Sequence, residues 1–435
     1  MSKFDSIIGY AIVKKELRCL VDTLKNRDAY SKLGVKAPRG LLLHGVPGVG
    51  KSLMASAVIE ESGLPCFTCR KDRPNGEFVN EIKATFDKAA ANAPSIVFLD
   101  DMDKFSNSDP RHPDTEEYVT VQSCIDEVKG KDVFVLATAN NIRNLPASLR
   151  RAGRFDRIVR MSAPHGKDAE DIIRHYLSNK QFVADVDAGM LARILDGHSC
   201  AVLETVVNEA GLFAGYERSE HITMDHLVMA CLQHLHGITL TDLKLEEGGN
   251  LDLSDPNITL SQVVYHEAGH AVVSEILCPE SVTLVCAGAV EGVETGVTCY
   301  YRDMAITPLY WAQSRVVGSL GGMAAVEHKY GISDAGVGRD LEQAFEGVQD
   351  LITKRGTNGF ALFGDPMDVT AQLQHEQEKA IAIDVEKYFR KAKEILSQNN
   401  EYFEKVAQAL ACKKLLTAVD MAEIKSTCRI VPVTL

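Results

Sequence analysis

The fold of the first part of this chain is decided by the stretch Gly45-Val46-Pro47-Gly48-Val49-Gly50-Lys51-Ser52. It lies between a short apolar run at Gly40–His44, typical of a buried strand, and a helix-forming run at Leu53–Glu61. Glycines in this context let backbone N–H groups turn inward around phosphates, and the following helix directs its positive end at them. We expect Lys51 to neutralise the β- and γ-phosphates of a nucleoside triphosphate and the Ser52 hydroxyl to bind Mg²⁺.

A second predicted strand ends in two acidic residues. The residues Ser95–Leu99 predict a buried strand, and Asp100 and Asp101 follow it directly. Ligands of open α/β sheets bind at the carboxyl ends of the strands, so we expect both carboxylates beside the phosphates. Asp100 is predicted to hold the metal ion, and Asp101 is predicted to orient or polarise the water that attacks the nucleotide.

The pattern of apolar residues divides the chain into four regions. Residues 1–162 alternate strand-like runs with helical patterns, which predicts a mostly parallel sheet with helices on both faces. Residues 163–237 predict a small helical domain, and the Gly, Asp and Pro content of residues 238–258 indicates a linker. Residues 259–435 are predicted to be mainly helical, so the fold class is α/β plus mainly α.

The fourth region contains the pattern His266-Glu267-Ala268-Gly269-His270 in a helix-forming context. Two histidines four residues apart lie on one face of a helix and predict a zinc site. Glu267 is adjacent and is predicted to take a proton from the attacking water and pass it to the leaving amine. This pattern is typical of a zinc hydrolase that cleaves amide bonds.

A catalytic zinc site needs a third protein ligand beside the two histidines. Positions 273 and 276 are Val and Ile, and Glu275 is too close along the same helix, so the ligand is expected further downstream. The residues alone leave Glu327, Asp334 and Asp340 as candidates.

The chain resembles the FtsH-type AAA+ ATP-dependent zinc metalloproteases from Phe4 to about Ile424. The resemblance is carried by the nucleotide loop, the metal-binding helix and the following stretches: Phe4–Gly9, Leu149–Arg157, Tyr265–Ala271 and Gly336–Ala344. It implies an AAA+ nucleotide-binding domain with a helical lid, followed by a mostly helical metallopeptidase domain. The family's cofactors would be ATP, Mg²⁺ and Zn²⁺.

The resemblance also implies roles for residues that the motifs alone do not assign. Asn140, at the end of a third apolar strand, matches the residue that senses the γ-phosphate. Arg151 and Arg154 match arginine fingers that reach into the nucleotide of a neighbouring subunit, which implies a homo-oligomeric ring and, by the resemblance, a hexamer. Asp340 matches the third zinc ligand, and Glu327 is a candidate for orienting an imidazole.

Two departures from the family's pattern bear on the ATPase. Asp101 stands where the family usually has Glu, and its shorter side chain predicts slow ATP hydrolysis unless the backbone compensates. The segment Glu77–Asn80 is the best match to the family's aromatic pore loop. Its aromatic residue, Phe78, is either a residue that grips substrate in the pore or a core residue of the next helix.

Composition limits the partners and the location of the protein. The net charge of −13 argues against a nucleic-acid partner, which usually needs a basic face. The first residues do not have the layout of a signal peptide, and eleven cysteines, an odd number, favour free thiols in a reducing compartment. The family's N-terminal membrane region has no counterpart in this sequence, so a cytoplasmic protein without a direct membrane anchor is expected.

These observations predict an ATP-dependent zinc endopeptidase that unfolds, translocates and degrades unfolded or tagged protein substrates as a ring. Two alternatives stay open: a non-proteolytic ATP-driven remodeller or scaffold, and a zinc peptidase whose ATPase mainly drives assembly. The β-rich segment from Val282 to Tyr301 suggests either an exposed edge that binds extended peptides or a hairpin that only packs.

Overall fold

The computed structural model describes residues 2–71, 77–105, 116–181, 183–239, 252–255, 257–290, 293–301, 308–332 and 338–435. These form two compact units. The first comprises Met1–Val183 with Gly197–Asn208, and the second comprises Ala184–Asp196 with Glu209–Leu435. The predicted helical domain at 163–237 is divided between the two units, and the four-region division stays a prediction.

The first unit is built on a five-stranded parallel sheet with the strand order β2-β3-β4-β1-β5. The strands are β1 (Gly40–His44), β2 (Cys66–Cys69), β3 (Ser95–Leu99), β4 (Val133–Ala139) and β5 (Arg157–Arg160). Strands β1 and β3 have the predicted bounds. Strand β5 was not predicted, because this edge strand has arginine at both ends and only one buried residue, Val159.

Helices cover both faces of this sheet. The helices that do so are α1 (Ala11–Lys25), α3 (Lys51–Ser62), α4 (Phe78–Ala91) and α5 (Glu116–Glu127). The first unit also contains α2 (Arg27–Lys32) and α6 (Gly166–Ser178). Successive side chains of a strand point to opposite faces. Accordingly Leu41 and Leu43 pack with α1 and α3, whereas Leu42 packs in a separate core with α4 and α5. The uninterrupted apolar runs of the central strands therefore reflect burial on both sides.

Three helices follow α6: α7 (Ala188–Ile194), α8 (Cys200–Tyr216) and α9 (Met224–His236). They agree with the helical character predicted for residues 163–237. Helix α8 contributes residues to both compact units.

The second unit contains seven further helices in its described part. They are α10 (Thr259–Leu277), α11 (Leu309–Ser319), α12 (Gly321–Tyr330), α13 (Gly338–Thr353), α14 (Ala371–Gln398), α15 (Asn400–Lys413) and α16 (Ala418–Ser426). An antiparallel sheet of order β7-β6-β8 is formed by β6 (Val282–Val290), β7 (Val293–Tyr300) and β8 (Leu415–Thr417). The three-residue strand β8 was not predicted.

Helix α10 is the central element of the second unit and is buried along most of its length. It approaches α12 closely at Gly269, where an added Cβ would lie 2.4 Å from both the Gly321 carbonyl oxygen and the Ala325 Cβ. Only a residue without a side chain permits this spacing. Within the described ranges, no helix combines the length and apolar character needed to cross a membrane.

Candidate nucleotide and metal sites

The nucleotide loop connects β1 to α3. Gly50 ends the loop in the left-handed conformation, with φ of 88°, and α3 begins at the next residue. Gly48 has φ of 78°, and an added Cβ there would lie 2.7 Å from Ala201 Cβ and 2.9 Å from Ser199 Oγ. The loop thus packs against the start of α8. Glycine is favoured at position 50 by its backbone conformation alone and at position 48 by both conformation and space.

Lys51 is 6% exposed and is held by three oxygen acceptors. Its Nζ donates to the carbonyl oxygens of Gly45 (2.8 Å) and Val46 (2.9 Å) and to Asn140 Oδ1 (2.8 Å). Burial lowers the pKa of Lys51, and the carboxylates of the nearby acidic residues oppose that shift. The loop lysine and the predicted sensor residue are therefore in direct contact.

The two predicted acidic residues lie at the end of β3 in different environments. Asp100 is 9% exposed, accepts a hydrogen bond from Thr138 Oγ1 at 2.8 Å and lies 3.5 Å from the Arg70 guanidinium. Asp101 adopts the left-handed conformation with φ of 52°. Its carboxylate is paired with Lys104 Nζ at 2.6 Å, and Asn140 Nδ2 lies 3.5 Å away.

Asp103 is a residue of this site that the sequence analysis missed. It is 9% exposed, and its carboxylate accepts the backbone N–H groups of Asn140 (2.9 Å) and Asn141 (3.2 Å). Asp103 therefore fixes the loop that carries Asn140. The signal was present in the sequence, since a third acid follows Asp100 and Asp101 after one apolar residue.

The two candidate arginine fingers differ in their surroundings. Arg154 is bonded within its own chain, to Asp126 Oδ2 at 2.9 Å and to the Ser148 carbonyl oxygen at 2.7 Å. Arg151 is exposed. Their action on a neighbouring nucleotide stays a prediction, and Arg151 is the more accessible of the two.

Phe78, the candidate substrate-gripping residue, is buried in this structure. It is the first residue of α4, is 2% exposed and packs edge-on against Phe105, with 4.8 Å between ring centroids. Apolar packing in the core stabilises it there. In this structure Phe78 is the core residue of the second alternative, and the preceding residues 72–76 lie outside the described ranges.

The metal-binding helix brings its two histidines to an aspartate from a distant helix. His266 and His270 lie on α10, Asp340 lies in the first turn of α13, and their ligand atoms are all within 4.8 Å of one another. The Nε2 atoms of the two histidines are 2.9 Å apart, and Asp340 Oδ2 is 3.1 Å from that of His266 and 3.3 Å from that of His270.

These distances fit a zinc ion. A tetrahedral zinc with ligand distances of about 2.0–2.1 Å separates neighbouring ligand atoms by about 3.3 Å. His270 Nδ1 donates to the Gly318 carbonyl oxygen at 2.8 Å, which leaves the Nε2 lone pair directed toward the other two ligands.

The other predicted acids of this region have separate roles. Glu275 is buried and accepts the backbone N–H groups of Glu280 and Val282, so it closes the turn into β6. Glu327 pairs with Lys393 at 3.0 Å, and the Gly318 carbonyl oxygen orients the imidazole of His270. A role of Glu327 in orienting the His266 imidazole stays a prediction. Asp334 lies outside the described residues.

Glu267 is 6% exposed and is bound by Thr298 of β7, a residue that the sequence analysis did not single out. Thr298 Oγ1 donates to Glu267 Oε2 at 2.7 Å. No local spacing links these two residues, because the contact depends on how β7 packs beside α10. The edge strand and the predicted general base therefore belong to one site.

Two parts of the chain match known protein families. Residues 41–163 match the ATPase family associated with various cellular activities (AAA). Residues 258–424 match peptidase family M41. The two matches fall on the parallel sheet with its nucleotide loop and on the unit with the His-His-Asp cluster.

Relatives with both parts align along almost the whole chain. An ATP-dependent zinc metalloprotease FtsH of Caldicellulosiruptor bescii is 30% identical over 453 residues, which covers 97% of this chain and 71% of that protein. The FtsH of Thermus thermophilus is 30% identical, with 97% and 70% covered. The ATP-dependent zinc metalloprotease YME1L1 of Mus musculus is 28% identical, with 96% and 59% covered.

Proposed function

This chain belongs to the FtsH family of ATP-dependent zinc metalloproteases, and from that membership we propose that it uses ATP to deliver unfolded protein chains to its own peptidase site. The enzyme class is ATP-dependent zinc metalloprotease, with Zn²⁺, ATP and Mg²⁺ as cofactors. The observation that carries the proposal is a cluster of His266, His270 and Asp340 with zinc spacing in a chain that also contains a nucleotide loop.

In the peptidase site, His266, His270 and Asp340 would hold the zinc ion. When bound, zinc polarises the substrate carbonyl and lowers the pKa of a coordinated water. Glu267 takes a proton from the attacking water and passes it to the leaving amine. Its position beside the candidate metal ligand His266 supports this role.

Strand β7 supports a mode of substrate binding. It pairs with β6 on one side and forms the edge of the three-stranded sheet, and its residue Thr298 touches Glu267. An extended peptide adds to such an edge through backbone hydrogen bonds, which depend little on sequence. We assign β7 as the strand along which unfolded substrate lies during cleavage.

In the nucleotide site, the loop backbone and Lys51 bind the phosphates, and Ser52 and Asp100 hold Mg²⁺. Asp101 orients the attacking water and Asn140 senses the γ-phosphate. The contacts of Asn140 with both Lys51 and Asp101 support a shared function of these residues. Arg151, with Arg154 as the second candidate, completes the site of a neighbouring subunit in a hexameric ring.

A ring-forming AAA protease acts on protein substrates, and unfolded or tagged chains are the class proposed here. The acidic net charge of −13 gives no support to a nucleic-acid partner. A cytoplasmic location stays a prediction. The ion pair between Asp101 and Lys104 favours slow ATP hydrolysis, and so supports the alternative of a zinc peptidase whose ATPase mainly drives assembly.

Degradation of casein and of a stably folded protein separates these functions. Degradation is measured in the presence of ATP, in its absence and with a slowly hydrolysed analogue. The proteins are wild type, Glu267→Gln, Lys51→Ala and a control, Glu386→Gln, which changes an exposed glutamate of α14. We expect wild type and the control to degrade both substrates only with ATP. We expect Glu267→Gln to degrade neither.

Two outcomes contradict the proposal. Cleavage at the wild-type rate by Glu267→Gln protein that has been purified free of other proteases would exclude the proposed peptidase mechanism. Degradation of the folded substrate by Lys51→Ala at the wild-type rate would show that ATP does not drive the reaction, and the assembly role would then be favoured.

A further inference from the structure

We propose that Thr298 is a positioning residue that holds the carboxylate of Glu267 for catalysis, and that Gly296 on the same face of β7 provides the room for it. This inference rests on the proposed function, because it takes Glu267 as the group that accepts the proton. Strand β7 would then act in catalysis by holding the general base Glu267 in position.

The contact is short and specific. Thr298 Oγ1 lies 2.7 Å from Glu267 Oε2 and 3.3 Å from the Glu267 carbonyl oxygen, so the carboxylate is the better acceptor of its single O–H. Among the described residues, no other donor reaches the Glu267 carboxylate. Its orientation in this structure therefore depends on one hydroxyl group.

Gly296 explains how the strand comes so close. Residues two apart in a strand lie on the same face, so Gly296 and Thr298 both face α10. A Cβ on Gly296 would lie 2.4 Å from Glu267 Cγ and 2.8 Å from Oε1, closer than carbon and oxygen atoms pack. Gly296 and Thr298 thus both lie against the same side of the Glu267 carboxylate.

The sheet keeps this arrangement rigid. Gly296 pairs in register with Ala287 and Thr298 pairs with Val285, and both partners on β6 are fully buried. A base supported by a strand of a sheet is held more exactly in place than one on a loop. With Oε2 bound by Thr298, Oε1 is the atom left to take the proton from water.

The test compares Thr298→Val, which keeps the shape and removes the hydroxyl, with Thr298→Ser, which keeps the hydroxyl. Cleavage of a short unstructured peptide is measured in the full-length zinc-loaded protein, because this substrate needs no unfolding. A misplacement of 1 Å costs about 100-fold in rate, so we expect kcat to fall about 10- to 100-fold in Thr298→Val. We expect KM to change less than about 2-fold and Thr298→Ser to restore kcat within about 3-fold.

A matched control is Thr283→Val on β6, which also loses a buried hydroxyl bond, in this case to the Cys299 carbonyl oxygen at 3.2 Å. Zinc content and the rate of ATP hydrolysis are measured for every variant. The inference would be overturned by equal, small effects of Thr298→Val and Thr283→Val on kcat, or by a change in KM alone. It would also be overturned if Thr298→Val lost zinc, or if Thr298→Ser failed to restore kcat.

Glu267→Gln distinguishes failure of this inference from failure of the proposed function. If Glu267→Gln abolishes peptide cleavage while Thr298→Val leaves kcat unchanged, the proposed function stands and the positioning role falls. If Glu267→Gln retains full cleavage, both fall together.

Discussion

Asp100, Asp101 and Asp103 lie within four residues of one another, yet each carboxylate has its own partners. Asp100 is bonded to Thr138, Asp101 is paired with Lys104, and Asp103 binds the backbone at Asn140. The left-handed conformation of Asp101 separates the directions of these side chains, because a residue there turns the chain sharply. Three acids within four residues therefore make three different sets of contacts.

Removal of Lys104 is expected to speed ATP hydrolysis. Its Nζ lies 2.6 Å from Asp101 Oδ2 and competes with water for the carboxylate that is proposed to orient that water. Lys104 is largely exposed, and exposed ion pairs are worth up to about 1 kcal/mol, so Lys104→Met should raise kcat for ATP about 2- to 5-fold. Steady-state phosphate release measures the effect.

A suitable control is Lys167→Met, which breaks an exposed ion pair with Asp171 in the same unit. This variant should leave phosphate release unchanged. An unchanged or lower kcat in Lys104→Met would show that the ion pair supports Asp101 instead of competing for it.

At the scale of elements, the metal cluster depends on how closely α12 approaches α10. Gly321 and Gly322 open α12, and an added Cβ on Gly322 would lie 2.5 Å from His266 Nε2. The pair of glycines is therefore part of the metal site although neither binds the metal. These two glycines allow α12 to pack closely against α10.

Substitution of Gly322 by Ala is expected to weaken zinc binding about 10- to 100-fold, the range typical for residues that orient metal ligands. The added methyl must displace the His266 ring or α12. Competition with a coloured chelator measures the affinity. Gly215→Ala in α8, where an added Cβ meets nothing within 4 Å, is the matched control and should bind zinc as wild type does.

If Gly322→Ala bound zinc with wild-type affinity, α12 would have to move away from His266 with little loss of free energy. The packing argument would then be wrong, and the position of His266 would have to depend on α10 alone.

At the scale of the whole molecule, the two chemistries belong to separate compact units with separate cores. Removal of zinc by a chelator should therefore abolish peptide cleavage and leave more than about half of the ATP hydrolysis, because a unit with its own core keeps its fold. Both rates are measured on the same sample before and after zinc is added back. Equal loss of both activities would contradict independent sites.

Arginine fingers in trans predict complementation between two inactive variants. Arg151→Ala subunits keep an intact nucleotide loop, and Lys51→Ala subunits keep an intact Arg151. Each variant alone should hydrolyse ATP at least about 10-fold more slowly than wild type, since such fingers are worth far more in other ATPases and GTPases. Mixed rings should regain part of the rate.

Complementation is measured by titrating one variant into the other at constant total protein. A rate that never exceeds the weighted mean of the two variants would exclude a role of Arg151 in a neighbouring site. Arg154→Ala provides a comparison, because that residue is already bonded to Asp126 in its own chain.

Local sequence patterns determined several strands, the nucleotide loop and two of the candidate metal ligands. The strands at Gly40–His44 and Ser95–Leu99 were predicted with the observed bounds, because buried parallel strands are continuous apolar runs. The nucleotide loop and the two histidines of α10 were also predicted, since a strand-loop-helix and a spacing of four residues are set by neighbours along the chain. The family resemblance added Asp340, which the structure places within 3.3 Å of both imidazoles.

Tertiary structure alone decided the contacts between distant segments. The sequence left Phe78 open between the pore and the core, and its packing against Phe105 is what buries it. The bond of Thr298 to Glu267 joins residues 31 positions apart through the packing of a strand on a helix. The sequence pattern specifies which face of an element is apolar, whereas the pairing of faces depends on the packing of the entire core.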